Sequence, residues 1–312
     1  MRLDSGDAIF AMTEKLVSVI MPACNAGRTI GNALQSVRAQ TYGNWEIVVT
    51  LDGSTDATGQ LIAEFARTTP RPVRVLENSR SHGPSAARNK AMQAAQGIVI
   101  AFLDADDIWM PDHLSSLCAV LDSGKADLAW SEGAVFQETP SGEMEWLPID
   151  TINVKNPRQD LFRRNFFNTS AAAITRRLME ATGSFDESLW AGEEWDYWIR
   201  AAALGFQIAS TGKQTYYYRK SASSLSSTPA KMAESNGRMF EKHRHCGLLP
   251  ESEIIARARE SYFGAGRMYW REDAAAASRA FYKSWKLSKV HLLPLFCALL
   301  AAISLARPRR SQ

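Results

Sequence analysis

Ile98-Val99-Ile100-Ala101-Phe102-Leu103 runs without a polar side chain straight into Asp104-Ala105-Asp106-Asp107. An unbroken apolar run of this length, rich in β-branched residues, reads as a central strand covered on both faces, and the stop at Asp104 marks its carboxyl end. Working back toward the N-terminus, Leu16-Val17-Ser18-Val19-Ile20-Met21 before Pro22 reads as a second buried strand, and Glu46 to Leu51 as a third, ending in Asp52-Gly53-Ser54-Thr55-Asp56. Val73 to Leu76 is a fourth, short strand. Helical stretches separate them. Ile30, Ala33, Leu34 and Val37 make an apolar stripe at i, i+3, i+4, i+7, Leu61, Ile62 and Phe65 mark the next helix, and Ser85 to Ala95 is Ala-rich, with Gly97 expected as a left-handed stop. Strands alternating with helices predict an α/β fold with a mostly parallel sheet, whose ligands bind beyond the carboxyl ends of the strands. Asp52 and Asp104 leave two different strands at that same edge.

The 312 residues, 46% hydrophobic and 22% charged, suffice for one large core and a smaller appended unit. The 36 basic and 33 acidic residues are too evenly matched to point to nucleic acid as a partner. Cys24, Cys118, Cys246 and Cys297 lie far apart without a CxxC pair, which signals neither a zinc site nor a disulfide framework, as in a cytoplasmic protein. The first fourteen residues carry Asp4, Asp7 and Glu14 and no long apolar run, so they read as a flexible N-terminus rather than a secretory leader.

After residue 130 the pattern loosens: Thr139-Pro140-Ser141-Gly142 is a turn cluster, and the chain to Arg164 reads as a loop-rich cover. Gly192 to Arg200 opens a helix that Gly205 ends, with Trp195, Trp198 and Ile199 inward and Asp196 with Arg200 as an i, i+4 pair. From about residue 230 the chain is helical and basic, and Arg257 to Leu287 reads as two amphipathic helices about Gly264 and Gly266. Leu292 to Ala306 is strongly apolar but shorter than the roughly 20 residues that span a bilayer. It reads either as a packed helix or as one lying on the inner face of the membrane, aided by Arg307, Arg309 and Arg310.

Four groups of side chains carry candidate chemistry, each with two readings. Asp104, Asp106 and Asp107 repel one another unless a cation offsets them, and oxygen-only ligands suit Mg²⁺ or Mn²⁺ bound together with substrate phosphates. The same triplet can be a solvated turn capping the helix near Pro111. Asp52 can cap the following helix or accept a bond from a nucleobase or ribose, and Asp56 reads as the cap. Arg88, in Gly83-Pro84-Ser85-Ala86-Ala87-Arg88-Asn89, can contact a phosphate or base, or sit on the surface. Glu193 and Glu194 can include a general base of raised pKa beside the tryptophans, or simply answer a helix dipole.

As an ordered set these segments resemble glycosyltransferase family 2, the inverting enzymes of GT-A fold, over about residues 15 to 226. Val17 to Asn25 is similar to the family's first strand and Pro-x-x-Asn loop, Leu51 to Asp56 to its Asp-Asp-Gly-Ser-Thr-Asp turn, Ala87-Arg88-Asn89 to its Ala-Arg-Asn helix, and Asp104 to Asp107 to its DxD segment. Gly192-Glu193-Glu194-Trp195-Asp196 resembles the Glu-Asp segment that supplies the catalytic base. The resemblance implies a GT-A domain over 15–228, a Rossmann-like sheet flanked by helices, with a helical extension over 229–312. It also implies a nucleoside diphosphate sugar, a UDP-sugar, contacted by Pro22, Ala23, Asn25, Asp52, Arg88 and Asp104, with Asp106 on a divalent metal, Mn²⁺ or Mg²⁺. Glu194, or Glu193 as the alternative, would deprotonate a glycan or glycolipid acceptor in cell-surface polysaccharide, lipopolysaccharide or glycolipid synthesis. Three positions depart from the pattern: Leu51 replaces the first acid of the Asp-Asp pair, Glu194 stands for Asp, and Ser221 stands for a metal-binding His. Those departures keep a non-catalytic nucleotide-sugar or glycan-binding relative as the rival reading. A nucleotidyltransferase would start with a Gly-rich phosphate loop, and none follows the first strand here.

Overall fold

The computed structural model describes residues 14–139, 143–148, 154–220, 228–288 and 292–306. The first thirteen residues, Ser221, Arg307, Arg309 and Arg310 therefore lie outside the described residues.

The first half alternates as expected: β1 (Val17–Ala23), α1 (Ile30–Arg38), β2 (Trp45–Asp52), α2 (Thr58–Thr68), β3 (Val73–Asn78), α3 (Pro84–Ala94) and β4 (Val99–Phe102). β1 pairs in parallel with both β2 and β4, and β2 with β3, so the strands stand in the order β3-β2-β1-β4. Every residue of β4 is buried, as is the Ile30, Ala33, Leu34, Val37 stripe of α1, because helices cover both faces of a parallel sheet. Gly97 does not play the expected part. α3 passes into extended backbone at Ala95, and Gly97 is absent from the positive-φ residues. A Cβ at Gly97 would lie 2.6 Å from the Leu16 carbonyl oxygen and from the Ser18 nitrogen, so close approach to β1 demands glycine.

The second half comprises β5 (Ile108–Trp109), α4 (His113–Asp122), β6 (Leu128–Glu138), β7 (Met144–Leu147), α5 (Pro157–Arg163), β8 (Ala172–Thr175), α6 (Arg176–Thr182), α7 (Glu193–Ala203) and β9 (Ile208–Arg219). β8 runs antiparallel to β4 and β6, β9 parallel to β6, and β5 antiparallel to β9, so the parallel half continues into a mixed sheet. Among the described residues the expected loop-rich cover instead holds two strands, since β6 has 11 residues and β7 pairs antiparallel with it, while Pro140, Ser141 and Gly142 of the expected turn cluster lie outside the described residues. The alternation of β6 was unreadable because its first four residues are buried and register shifts against β9 fall at Trp130, Glu132 and Gly133.

Among the described residues four helices follow: α8 (Pro229–Lys242), α9 (Glu251–Tyr269), α10 (Ala274–Ser288) and α11 (Leu292–Ala306). Gly264 and Gly266 lie inside α9 rather than at the break expected there, which falls at 270–273. A Cβ at Gly266 would meet the Phe281 ring at 2.6 Å, so this glycine lets α9 and α10 cross closely. The extension is built into the sheet domain, since Met239, Phe240 and Ile254 share a core with Phe162, Trp195 and Ile199 of α5 and α7.

A polar joint locks the same contact. Asp196 of α7 is fully buried and pairs with Arg200 at 2.9 Å, as expected, and also with Lys242 and His243 of the extension at 2.8 Å each. Burial alone would raise its pKa, but the bonds from His243 and Lys242 and the Arg200 charge hold it well below the usual carboxylate range. Its contribution to stability is thus complete above the unfolded pKa, about 3.9, and is lost as the pH falls through the lower folded value. We expect Asp196→Asn to lower the unfolding free energy by about 3 kcal/mol in urea titrations at neutral pH. The gap between the two proteins should narrow below about pH 4.

Candidate active site

With the strand order β3-β2-β1-β4, chain direction away from β1 reverses between β1 and β4, and a crevice must open there at the carboxyl ends. It does: a cleft of about 920 Å³ is lined by all nine expected site residues, Pro22 and Ala23 at the end of β1 and Asn25 just after it, Asp52 as the last residue of β2, Arg88 on α3, Asp104 and Asp106 after β4, and Glu193 and Glu194 on α7. They differ in how far their polar groups are taken up by other parts of the protein.

Asp52 is a wall residue. Its carboxylate accepts bonds from the Asn78 and Ser81 side chains at 2.8 Å and from the His82 and Gly83 backbone N–H groups at 3.0 and 2.9 Å. Burial works against this charge, yet those donors lower its pKa below the usual value. Next to it Gly53 is left-handed, at φ 67°, and a Cβ there would collide with the backbone of Arg80 and Ser81. Asn25, at φ 48° the one left-handed non-glycine among the described residues, accepts from the Thr55 N–H at 2.9 Å and so ties the β1 loop to the β2 loop. Asp56 accepts from the Thr58 N–H at the start of α2 and from the Gly27 N–H, but it stands one residue before the expected place, because Ala57 occupies the N-cap position.

Arg88 is not a surface arginine. It is buried, donating to Asp104 at 2.6 Å and to Glu193 at 2.8 Å. Thr169 completes the group, donating to the second Asp104 oxygen at 3.1 Å. Glu193 is therefore occupied by an ion pair, whereas Glu194 accepts from the Asn165 amide at 3.0 Å and has its pKa pushed up to about 8 by burial and by the neighbouring Glu193.

The acidic turn does not cap α4. Asp107 is buried and accepts from the Arg219 N–H at 2.9 Å, while Arg219 Nε donates to the Asp106 carbonyl at 2.8 Å and its guanidinium pairs with Glu138. Burial and then repulsion from Asp104 raise the Asp106 pKa to about 6, and burial with both neighbouring aspartates raises that of Asp107. Among the described residues no group of three or more His, Cys, Asp or Glu is placed to hold an ion by itself. Asp104 and Asp106 do present hard oxygen donors at a mouth with excess negative charge, which fits a divalent cation whose remaining ligands come from a phosphorylated substrate.

Sequence reasoning assigned no role to Arg219, Thr169, Asn165 or Glu138. The one available signal was polar residues set in aromatic runs, Asn165 to Ser170 about Phe166-Phe167 and Arg219 after Tyr216-Tyr217-Tyr218.

The model of the family described as glycosyl transferase family 2 matches residues 18–180. The chain belongs to glycosyl transferase family 2. Among similar proteins, the UDP-Glc:alpha-D-GlcNAc-diphosphoundecaprenol beta-1,3-glucosyltransferase WfgD of Escherichia coli is 44% identical over 103 residues, 33% of this chain and 40% of that protein. The succinoglycan biosynthesis protein ExoO of Rhizobium meliloti is 32% identical over 220 residues, 67% of this chain and 62% of its own. The matched region thus spans less than two thirds of either relative. The mannosyltransferase PcManGT from Pyrobaculum calidifontis, solved in complex with GDP-Man and Mn²⁺, superposes with a TM-score of 0.60 over 96% of this chain and 82% of that one, at 21% identity. The shared architecture is the GT-A fold.

Removing the Arg88 bridge strands buried carboxylates at both of its ends. Arg88→Lys retains the charge but not the fork that reaches two partners, and it should cost about 3 kcal/mol by chemical denaturation. A change below about 0.5 kcal/mol, the size usual for a surface site, would remove Arg88 from this role.

Proposed function

We propose that the cleft binds a nucleoside diphosphate sugar, a UDP-sugar, and transfers its glycosyl group with inversion to a hydroxyl of a glycan or glycolipid in the synthesis of a cell-surface polysaccharide. The observation that carries this reading is Glu194: a desolvated carboxylate of raised pKa at the head of α7, in the same cleft as Asp104 and Asp106. Family membership supports glycosyl transfer, and WfgD, a UDP-Glc enzyme acting on a diphosphoundecaprenol-linked sugar, supports the donor and acceptor classes.

In this mechanism Pro22, Ala23 and Asn25 form one wall for the nucleotide, and Asp52 keeps the 78–83 loop in place as the other. Asp104, oriented by Arg88 and Thr169, faces the ribose. Glu193 is paired with Arg88, and burial together with repulsion from this neighbour keeps Glu194 basic. Glu194 takes the proton of the acceptor hydroxyl, whose oxygen attacks the anomeric carbon from the face opposite the diphosphate. The bond to the diphosphate oxygen breaks, that oxygen keeps the electron pair, and the configuration inverts without a covalent sugar intermediate. When bound at Asp106, Mn²⁺ or Mg²⁺ supplies neutralisation of the charge on the departing diphosphate, a use that the Mn²⁺ complex of PcManGT supports. Leu51 and Glu194, two of the three departures behind a binding-only reading, leave this set of acids complete.

Glu194→Gln should reduce transfer by about 10³-fold while leaving the donor-induced thermal shift intact. Because the base acts ionised, kcat/KM of the parent should rise with pH toward a plateau above about 8 and lose this rise in the variant. An active Gln variant beside an inactive Glu193→Gln would transfer the role to Glu193. In a thermal-shift screen of nucleotide sugars, a UDP-sugar with Mn²⁺ at about 100 times its dissociation constant should stabilise the protein by about 2.7 kcal/mol. Asp106→Asn should abolish the Mn²⁺-dependent part, and a best response indifferent to chelator would remove Asp106 from the metal.

A further inference from the structure

α11 has one face that the protein covers and one that it does not. Pro294 and Ala298 are buried, the latter packing with Ala277 and Phe281. Leu292, Leu293, Phe296 and Leu299 remain 68%, 60%, 59% and 54% exposed. At 100° per residue these four side chains fall within an arc of about 120°, a continuous apolar stripe in water. The apolar surface extends beyond the helix, because the adjoining groove between α9, α10 and α11 is walled by Phe263, Met268, Trp270, Phe281 and Cys297, with Met268 and Trp270 themselves exposed. Arg267 and Arg271 line it as well, with Glu272 as the one acid, so its charged lining is net positive. An exposed stripe of this kind marks an interaction surface rather than ordinary surface scatter.

Charge identifies the occupant. Residues 251–312 hold eleven Lys and Arg against five Asp and Glu, a net +6, so the first 250 residues carry −3 of the chain's +3. A second copy of this segment would set like net charge against like, whereas an anionic surface is complementary. Leucines and a phenylalanine entering the acyl boundary, a tryptophan beside them, arginines at headgroup depth, and Arg307, Arg309 and Arg310 following in the sequence match the demands of a bilayer interface. The helix lies on such a surface and does not cross it. Its 15 residues measure about 22 Å against a hydrocarbon core of about 30 Å, and among the described residues no helix is long and apolar enough to span.

We propose that the Leu292, Leu293, Phe296 and Leu299 face of α11, flanked by Arg267 and Arg271, docks the protein peripherally on an anionic lipid bilayer. This docking is independent of the glycosyl-transfer reading.

The test is co-sedimentation of the full chain with phosphatidylcholine vesicles that contain or lack phosphatidylglycerol. The parent should partition onto the anionic vesicles and be released by salt, and Leu293→Glu/Phe296→Glu should weaken binding by about 100-fold, since two large side chains lose their apolar insertion. Arg267→Glu/Arg271→Glu should weaken it by about tenfold, with the loss greatest at low salt. Both double variants change exposed side chains, and an unaltered melting transition and donor-induced thermal shift would show that fold and cleft persist. Equal binding by parent and Leu293→Glu/Phe296→Glu, or no binding by the parent, overturns the proposal. So does a concentration-dependent dimer that Phe296→Glu dissociates, because the stripe would then be covered by a second copy.

Discussion

A single buried guanidinium joins the two halves of the cleft. Arg88 rises from α3 between Asp104, at the end of the central strand, and Glu193, 105 positions further along the chain at the head of α7. A cation shut away from water needs both carboxylates to offset its desolvation, and each carboxylate needs the cation. The acidic turn and the helix carrying Glu194 are therefore held at one spacing, and neither can move without exposing an unpaired buried charge. The rest of the site is arranged around that bridge.

Its electrostatics follow from which carboxylates have partners. Asp52 is paired with donors of the 78–83 segment, Asp104 with Arg88 and Thr169, and Glu193 with Arg88. Asp106 and Glu194 have their pKa values raised by burial and by an acidic neighbour. These are the two groups for which a cation and a proton, respectively, relieve the strain of crowded negative charge. The crowding thus divides labour between groups that shape the cleft and groups that can take something up from a ligand. The extension supports the same arrangement from behind, since Ser235 of α8 donates to the Ala191 carbonyl at 2.6 Å, one residue before the left-handed Gly192 that starts α7.

How far the chain could be read depended on where the deciding contacts lie. β1, β2 and β4 were legible because strands covered on both faces must be apolar throughout, and α1 because its stripe follows one helical period. β6 and β9 were not, because their register shifts break the period-2 alternation and Gly133 is set by contact with the Tyr216 ring. Gly97 and Gly266 were seen as breakers, yet each answers a backbone or ring brought close by distant residues. No local pattern carries that information. The partners of Arg219 were illegible for the same reason, since Asp106, Asp107 and Glu138 lie far from it in sequence.

The order of motifs along the chain was enough to establish the family, the parallel half of the sheet and the nine residues that meet in the cleft, because strand ends in such a sheet deliver their next residues to one edge. The roles within that set came from the folded molecule. Asp52 against Asp106, Glu193 against Glu194 and Arg88 as bridge rather than surface charge are distinctions of partner and burial, and ionisation responds to both. Residues distant along the chain supply those partners, so a carboxylate's neighbours in sequence cannot reveal whether it is spent on the wall or left for a ligand.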